Sequence, residues 1–453
     1  MSQRSQVSER MRETLANLFI VIGCFAVMPS SSAIAASRAC SVNATNDIQY
    51  LIFWPPLPGT TDNYEARIKD FAAKLGTTGD DKTRQLGFGI FIPVWAGNPS
   101  AITRAIKGGF DLAKRTNVAV HFNVDDHIEW DERPDLWNWY DPSKPGFNPE
   151  NRKNVEWYDW EGVANKRRYL TPAGAPSQTP HMCYGSPAVQ KEISRIVSQI
   201  VGPALKVEIN ELKKENKEYL FAGITVGAEA GFDDYSRLPG LLVRLLLQAR
   251  GLVDPMASQM ALLLGLAERM MDEDKAPHSQ VGYCSLTNAG YSRSHPAADI
   301  NVALTDINRK FIEFWDKQFF EADIPCSRIY THVAASVLQS DNAPLSIVFN
   351  PYARPGWTTY PQSILENGFQ PLYAELAKHG NPAWGGVEAN NFSNPKAPWE
   401  KYLAWHYNHG AKLVGISIGA ADQSLMSALS KSATGDEAIA AYQKFLRGGI
   451  LLE

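Results

Sequence analysis

The sequence predicts an α/β fold, a (β/α)8 or TIM barrel with a long insertion after the third strand. Two observations indicate this fold: short apolar segments alternate with amphipathic helical segments, and eight of the apolar segments have the composition of buried parallel strands. A third observation disfavours the main alternative fold, an open, doubly wound parallel sheet. No Gly-x-Gly-x-x-Gly follows the first strand and no phosphate-binding loop occurs, which disfavours the open nucleotide-binding sheets.

The predicted strands follow one another with helical segments between most of them. They are assigned, in chain order, to residues 50–54, 86–95, 117–124, 219–227, 281–286, 328–333, 384–387 and 412–418. Helices are predicted over 63–76, over 100–116 with Pro99 at the first turn, where proline is tolerated, and over about 300–322. Residues 345–350 are a possible further strand, but Pro351 and Pro355 follow at once, so we assign them to the loop after the sixth strand.

The stretch 125–185 is the most irregular part of the chain. It is rich in aromatic residues, proline and glycine, and a connection of this length without clear helices is uncommon unless it has a function. It leaves the carboxyl end of the third strand, where the loops of a barrel build the active site. We therefore predict that it forms a wall or lid over a cleft within a single domain spanning 36–453.

Composition and charge narrow the class of protein. The chain is 44% hydrophobic and 20% charged, which is ordinary for a globular enzyme with a large core. The net charge of −4 and the pI of about 6.2 argue against a nucleic-acid partner, because such proteins usually have a basic surplus. The 12 tryptophans are a weak indication of flat surfaces for sugar rings, since tryptophan also fills large cores.

The first 35 residues have the pattern of a secretory signal peptide. Three arginines precede the apolar run 15–28, which is shorter than the roughly 20 apolar residues of a membrane-spanning helix. The small-residue motif 33–35 follows, as at a leader cleavage site. The rival interpretation is an uncleaved anchor. We expect a secreted or periplasmic protein with no stable membrane insertion after removal of the leader.

Of the five cysteines, Cys24 lies in the predicted leader and Cys40, Cys183, Cys284 and Cys326 remain. In an oxidising compartment these four can form up to two disulfide bonds in three possible connectivities. Buried free thiols are an equally good interpretation. No Cys-x-x-Cys pair occurs, so a zinc site of that kind is not expected.

Two glutamates stand at the ends of apolar strands. Glu229 follows the fourth predicted strand and Glu388 follows the seventh. Both therefore belong to the end of the barrel where catalysis occurs, and strands four and seven lie across its mouth from each other. Glycosidic bond cleavage needs two carboxyl groups, one that protonates the leaving oxygen and one that attacks or stabilises the anomeric carbon. A single glutamate at such a position is often a salt-bridge or capping residue, and two are more specific.

This placement resembles clan A of the glycoside hydrolases, the 4/7 superfamily of retaining (β/α)8-barrel enzymes. The resemblance implies that Glu229 is the acid/base and Glu388 the nucleophile. Enzymes of the clan usually have asparagine before the acid/base, whereas Ala228 stands there in this chain. β-Amylases, which invert, also place two glutamates on strands four and seven, and the distance between the carboxyl groups separates the two outcomes. Retention is the expectation.

Further polar residues follow other strands. Asp125 and Asp126 come directly after the third strand, and His332 lies at the end of the sixth. The two carboxylates are candidates for hydrogen bonds to sugar hydroxyls; a loop charge network or, together with His332, a metal site are the alternatives. His332 also suits a hydrogen bond near the nucleophile. No metal or other cofactor is expected for the leading interpretation.

Aromatic and amide side chains mark the same predicted rim. Flat rings pack well against the C–H groups of a sugar. The candidates for contact with a carbohydrate substrate are Trp54, Trp95, Tyr352, Asn288 and Asn391.

These observations together predict a secreted glycoside hydrolase. No Gly-x-Ser-x-Gly elbow or His-Glu-x-x-His motif supports a serine hydrolase or a zinc protease. The alternatives are an inverting barrel glycosidase, a non-catalytic glycan-binding barrel, and a metal-dependent barrel hydrolase that uses Asp125, Asp126 and His332.

Overall fold

The structure of the protein is a computed structural model. It describes residues 48–54, 64–95, 98–124, 130–166, 168–170, 175–177, 179–227, 230–232, 281–334, 342–359, 369–391, 398–417 and 433–453. The predicted leader, Asp125, Asp126 and Glu229 lie outside the described residues.

Eight parallel strands form the centre of the fold. They are β1 Gln49–Trp54, β2 Arg84–Phe91, β3 Ala119–Val124, β4 Phe221–Val226, β5 in two pieces (Ile329–Thr331 and Val333–Ala334), β6 Gly356–Thr358, β7 Trp384–Ala389 and β8 Ala411–Ser417. Each strand pairs with the next in chain order, the first piece of β5 with β4 and the second with β6. Because β8 also pairs with β1, from Tyr50 against Leu413 to Trp54 against Ser417, the sheet is closed. The predicted (β/α)8 barrel is confirmed.

Helices surround this barrel. The described helices are α1 Tyr64–Leu75, α2 Pro99–Thr116, α3 Pro134–Trp137, α4 Pro187–Ile196, α5 Gly202–Lys214, α6 Tyr283–Asn288, α7 Ile300–Glu321, α8 Gln370–Lys378, α9 Trp399–Tyr407 and α10 Asp436–Leu446. A π-helical segment, Val197–Val201, joins α4 to α5. Among the helices of the described ranges, none combines the length and apolarity needed to cross a bilayer.

Local sequence explains where the predicted helices begin and end. Asn98 caps α2, because its side chain accepts hydrogen bonds from the backbone N–H groups of Ser100 (3.0 Å) and Ala101 (3.4 Å). Asn117 then ends α2 in the left-handed conformation, at φ 54°. Asp299 caps α7 in the same way, with a bond of 2.8 Å from Asn301 N.

One predicted strand is wrong. Residues 281–286 begin a helix, α6, instead of forming the fifth strand. Gly282, at φ 131°, turns the chain, and Leu286 N then donates to Gly282 O as in a helix. A short apolar run buried on one side fits a strand or a helix equally well, because it has too few residues to reveal a period.

One strand was not predicted. Gly356–Thr358 is β6, and residues 345–348 before it form a 3-10 helix within the connection. The strand is only three residues long and starts beside Pro355, whose carbonyl accepts from Gly385 N at 3.0 Å. The missing N–H of the proline is tolerated because it lies at the start of the strand. The false fifth strand and the missed sixth compensate, so Glu388 does belong to the seventh strand.

The core has two layers, one on each side of the sheet. Side chains on the outer face pack under the helices, as Leu51 and Phe122 do, and those on the inner face fill the barrel. The inner layer includes Tyr50, Trp54 and Tyr330. The interior of the barrel is therefore a packed core and not a pore.

Candidate active site at the carboxyl ends of the strands

Glu388 lies at the carboxyl end of β7, as its next-to-last residue. Its backbone carbonyl accepts a hydrogen bond from Thr359 N at 2.7 Å, which fixes the end of β7 against the end of β6. The register of β7 shifts between Gly386 and Glu388 against β6, and between Gly386 and Ala389 against β8. Such an irregularity re-aims a side chain at the rim of a barrel. The carboxylate remains 35% exposed in an otherwise buried strand, so it is accessible to a ligand.

His332 lies opposite Glu388, at the break between the two pieces of β5. Its side chain is buried, and Nε2 is 3.4 Å from Glu388 Oε2. The same nitrogen is 2.8 Å from Thr358 Oγ1 on β6, while Nδ1 is 3.2 Å from the carbonyl oxygen of Gly227 after β4. One imidazole therefore connects the ends of β4, β5, β6 and β7.

The partners of His332 determine its tautomer. A carbonyl oxygen can only accept, so Nδ1 carries the proton and donates to Gly227. In the neutral ring Nε2 is then an acceptor, and the Thr358 hydroxyl donates to it. When the ring is charged, Nε2 also carries a proton and faces the Glu388 carboxylate as a donor. With the ring charged, the distance of 3.4 Å between Nε2 and Oε2 is that of an ion pair. The hydrogen bond between His332 and the nucleophile position stays a prediction.

Trp54 forms the floor of the site. It ends β1 with its indole inside the barrel, 6% exposed, and Nε1 donates to Val387 O at 3.2 Å. Glycines make room for the ring: a Cβ on Gly89 would lie 1.9 Å from it, and a Cβ on Gly415 would lie 2.6 Å from Nε1. The indole therefore fills the barrel directly below the rim.

Two asparagines that the sequence did not single out lie at the same level. Asn123, the next-to-last residue of β3, is 7% exposed and its Oδ1 has no hydrogen-bond partner in the described structure. Asn390 directly follows β7, and its Oδ1 is also buried without a partner there, although its amide donates to Ser417 O. Unsatisfied buried acceptors need an explanation, and a ligand hydroxyl is a suitable donor. The period of two along β3, which turns His121 and Asn123 inward, is the signal that could have identified Asn123.

Glu229, the predicted acid/base, lies outside the described residues, but nearby residues on both sides of it are described. β4 ends at Val226, and Gly227 N donates to Val124 O at 3.0 Å at the rim of β3. Beyond position 229, the carbonyl of Gly231 accepts from the His181 ring at 2.9 Å and from the Tyr184 hydroxyl at 3.3 Å. The flanking residues Gly227 and Gly231 are therefore held by the end of β3 and by the long β3–β4 connection. The role of Glu229 stays a prediction.

The long β3–β4 connection, predicted as the irregular stretch 125–185, is a packed structure. Within its described part Trp130 and Trp137 are buried, and the Trp137 indole donates to Trp130 O at 2.9 Å. Antiparallel bridges join Val155 to Met182 and Trp157 to Ala164. Its aromatic residues mainly build its own core, and a lid role stays a prediction.

Three predicted contact residues do not lie at the carboxyl end of a strand, where they were expected. Trp95 has no exposed surface, because it packs between Trp130 and Trp315 at ring distances of 5.3 and 6.3 Å. Tyr352 precedes β6 instead of following a strand, so it lies at the amino end of the barrel. Asn288 ends helix α6, and its amide donates to Cys284 O at 3.0 Å.

The physical reasons for these three differences are distinct. The β2 strand ends at Phe91, so Trp95 lies beyond the strand end and packs against the β3–β4 connection. The chain after β5 returns through a 3-10 helix before rising again as β6, which carries Tyr352 to the bottom. Asn288 follows the apolar run that forms a helix. Asn391, in contrast, does follow β7 and is 2% exposed.

The predicted metal alternative involves Asp125 and Asp126, which lie outside the described residues. Within the described ranges, no group of three or more His, Cys, Asp or Glu side chains has the arrangement of a metal site. Both ring nitrogens of His332 already have protein partners.

Comparisons with known proteins give only distant likenesses. No family model matches the chain, and no curated protein matches it. Among solved structures, the chain is similar to the catalytic domain of β-amylase from Paenibacillus polymyxa, with a TM-score of 0.48 and 9% identity over 88% of this chain and 98% of that one.

Two other solved structures are similar over most of their length. A GH5-4 broad specificity endoglucanase from Clostridium longisporum has a TM-score of 0.39 and 11% identity, over 86% of this chain and 87% of that one. The β-mannanase of Thermomonospora fusca, in complex with mannotriose, has a TM-score of 0.34 and 8% identity, over 87% and 94%. These likenesses are too distant to indicate an activity, and the fold is established by the strand pairing itself.

Proposed function

We propose that the protein is a glycoside hydrolase in which Glu229 and Glu388 are the two reacting carboxyl groups. The observation that supports the proposal is the strand order of the barrel, because Glu388 belongs to β7 and Glu229 follows β4 in the sequence. The carboxyl ends of these strands share one rim, where barrel enzymes have their active sites. A partly exposed carboxylate above a buried indole floor, Trp54, suits a polyhydroxylated ring with one polar edge and one apolar face.

The proposed mechanism is double displacement with retention. Glu388 attacks the anomeric carbon while Glu229 gives its proton to the departing oxygen, so that a glycosyl ester forms on Glu388. Glu229 then takes a proton from water, which attacks the same carbon and releases the Glu388 carboxylate. A charged His332 would donate to Glu388 and hold it in one orientation. These steps require no cofactor.

The proposed substrate is an extracellular carbohydrate, and polar groups at the rim would bind its hydroxyls. Asn123, Asn390 and Asn391 are the described candidates, and Asp125 and Asp126 remain candidates outside the described part. Each good hydrogen bond to a ring hydroxyl strengthens when charge develops in the transition state.

The test is activity of Glu229→Gln and Glu388→Gln on a panel of glycans and aryl glycosides. We expect each change to lower kcat by at least about a thousandfold, because an amide neither attacks nor transfers a proton. Glu211→Gln, at an exposed position on α5 (48% exposed), is the matched control and should be fully active. If both variants keep wild-type activity on a substrate the protein cleaves, the assignment is wrong.

The stereochemical outcome is read from the same enzyme. Proton NMR of the first product should show the anomer with the configuration of the substrate. The opposite anomer would replace double displacement by single displacement through water, for which the carboxyl groups need the wider spacing of about 6.5–9.5 Å. Loss of activity with a chelator, with both glutamine variants active, would instead indicate the metal-dependent hydrolase.

A further inference from the structure

Cys183 and Cys284 are brought together from two different connections of the barrel. Cys183 lies in the β3–β4 connection, shortly before α4, and Cys284 lies in the first turn of α6, between β4 and β5. Both thiols are free and buried, with their Sγ atoms 2.6 Å apart. Nothing in the proposed hydrolysis uses them.

The surroundings hold the two sulfurs in place. Cys183 N donates to Asn154 O at 2.9 Å, which fixes its backbone against the neighbouring stretch of the connection. The Asn288 amide lies 3.5 Å from the Cys183 sulfur and 3.6 Å from the Cys284 sulfur. Ser285, the neighbour of Cys284, donates to the buried carboxyl of Glu156. The two segments are therefore joined on both sides of the sulfur pair before any covalent bond forms.

We propose that Cys183 and Cys284 form a disulfide bond when the protein folds under oxidising conditions. A disulfide has an S–S length of about 2.05 Å, so the sulfurs need to approach by only about half an ångström. The bond links residues 101 apart in sequence, and links between distant positions restrict the unfolded chain most. The proposal does not depend on the hydrolase activity.

The chemistry is thiol–disulfide exchange with a small-molecule disulfide as oxidant. One cysteine thiolate attacks the oxidant's S–S bond, which gives a mixed disulfide and releases one thiolate. The second cysteine thiolate then attacks the protein sulfur of the mixed disulfide and releases the other. Two protein thiols are oxidised, one small disulfide is reduced to two thiols, and the two protons pass to the released thiolates.

Burial determines when this step occurs. The pKa of the Cys183 thiol is raised by burial, by its contact with Cys284 and by the nearby Glu156, and burial also raises the pKa of Cys284. Because the thiolate is the attacking species, exchange in the folded protein is slow. The bond therefore forms during folding, and once formed it is protected from reductants by the same burial.

The test is peptide mapping of protein refolded from denaturant in a buffer of reduced and oxidised glutathione. Free thiols are alkylated in denaturant before digestion, so that buried cysteines are also reached. We expect a linked peptide that contains Cys183 and Cys284 and disappears on reduction. Recovery of both cysteines as alkylated peptides, with no linked peptide, would overturn the proposal.

A thermal measurement gives a second readout. Protein reduced in denaturant and refolded with reductant should melt below the oxidised, refolded protein, and this decrease in Tm should be several degrees larger for wild type than for Cys284→Ser, because the variant has no bond at this position to lose. Because both proteins contain the other cysteines, the difference between the two Tm shifts reports only the bond between Cys183 and Cys284. Equal shifts for the two proteins would contradict a stabilising link, even if both fold normally.

Discussion

At the scale of single residues, His332 has the most specific environment in the candidate site. The Gly227 carbonyl fixes its tautomer, and Thr358 and Glu388 share its other nitrogen. Imidazole is the side chain in this group that normally changes its charge between about pH 5 and 8. Charge on the ring changes whether Nε2 accepts from Thr358 or donates to Glu388.

We therefore predict that His332→Asn lowers kcat/KM by about ten- to a hundredfold and changes its pH dependence. The shorter amide can keep the bond to Gly227 but does not reach Glu388, so the proton-dependent contact is lost. The measurement is the pH profile of kcat/KM from about pH 4 to 9.

Two controls separate this role from packing. Thr358→Val removes the hydroxyl but leaves the imidazole, and should shift the profile less than His332→Asn. His379→Asn, at a half-exposed histidine that follows α8, should change nothing. A His332→Asn profile that keeps the wild-type shape, merely scaled down, would assign His332 a structural role alone.

Two residues at the ends of apolar strands were placed at the correct level by the sequence. Glu388 and Trp54 follow or end strands that local hydrophobicity reveals, so their level in the barrel was correct. Tyr352 was not predictable in this way, because its position depends on which way the chain runs between β5 and β6. Asn123 could have been predicted, because the alternation of side chains along β3 turns it to the same side as His121.

At the scale of elements, the β3–β4 connection is held by a buried carboxyl. Glu156 has no exposed surface, and Ser285 of α6 donates to it through both its hydroxyl and its backbone N–H. Burial raises the pKa of Glu156 to about 7, and the hydrogen bonds from Ser285 oppose this rise. The connection and α6 therefore meet at a group that titrates near neutral pH.

The sign of the effect on stability follows from the direction of the shift. A carboxyl with a higher pKa in the folded protein binds more protons when folded. The contribution of Glu156 is therefore fully present below its ordinary pKa of 4.5 and is lost as the pH rises through about 7.

We predict that Glu156→Gln gains stability relative to wild type as the pH rises. The amide keeps an acceptor for Ser285 and never becomes charged, so the difference in the free energy of unfolding should grow by about 2 kcal/mol or slightly more between pH 5 and 8. Denaturant unfolding at a series of pH values measures it, with Glu211→Gln as the control. A constant difference across this range would contradict a titrating Glu156.

Short elements were the ones that sequence predicted poorly. The six residues 281–286 and the three of β6 lack the length over which a period can be recognised. Their structure is determined by partners distant in sequence: α6 packs against the β3–β4 connection, and β6 fills the gap between β5 and β7. Longer elements such as α2 and α7 have capping residues and periodic apolar faces, and their bounds were close to those predicted.

At the scale of the whole molecule, closure of the barrel corrected the errors in individual elements. A (β/α)8 barrel has eight strands. The predicted strand at 281–286 is a helix, and the unpredicted strand β6 takes its place in the count within the same half of the chain. This is why the fold and the placement of Glu388 on the seventh strand were correct although two strands were not.

We also propose that residues 1–35 are a leader that directs the protein out of the cytoplasm. The first strand begins at Gln49, so cleavage after Ala35 removes no part of the described barrel. We predict that the exported protein starts at Ala36, as measured by N-terminal sequencing of the material secreted by a bacterial or eukaryotic host.

Substitution of the small residues tests the cleavage position. Ala33→Lys and Ala35→Asp should leave the uncleaved chain in the cell fraction, because the peptidase accepts small residues there. Ser41→Asp, beyond the site, is the control. Export of a chain that still contains residues 1–35 would favour an anchor instead.

The indole of Trp54, seated between Gly89 and Gly415, also determines how reactants travel. It fills the interior of the barrel together with its neighbours, so the strands that the structure describes enclose a packed core and not a channel. In the proposed hydrolase, substrate and product therefore both pass the rim at the carboxyl ends of the strands, and the product leaves before the next substrate binds. A change that narrows the rim should slow entry and release together, even where the reacting carboxyls are untouched.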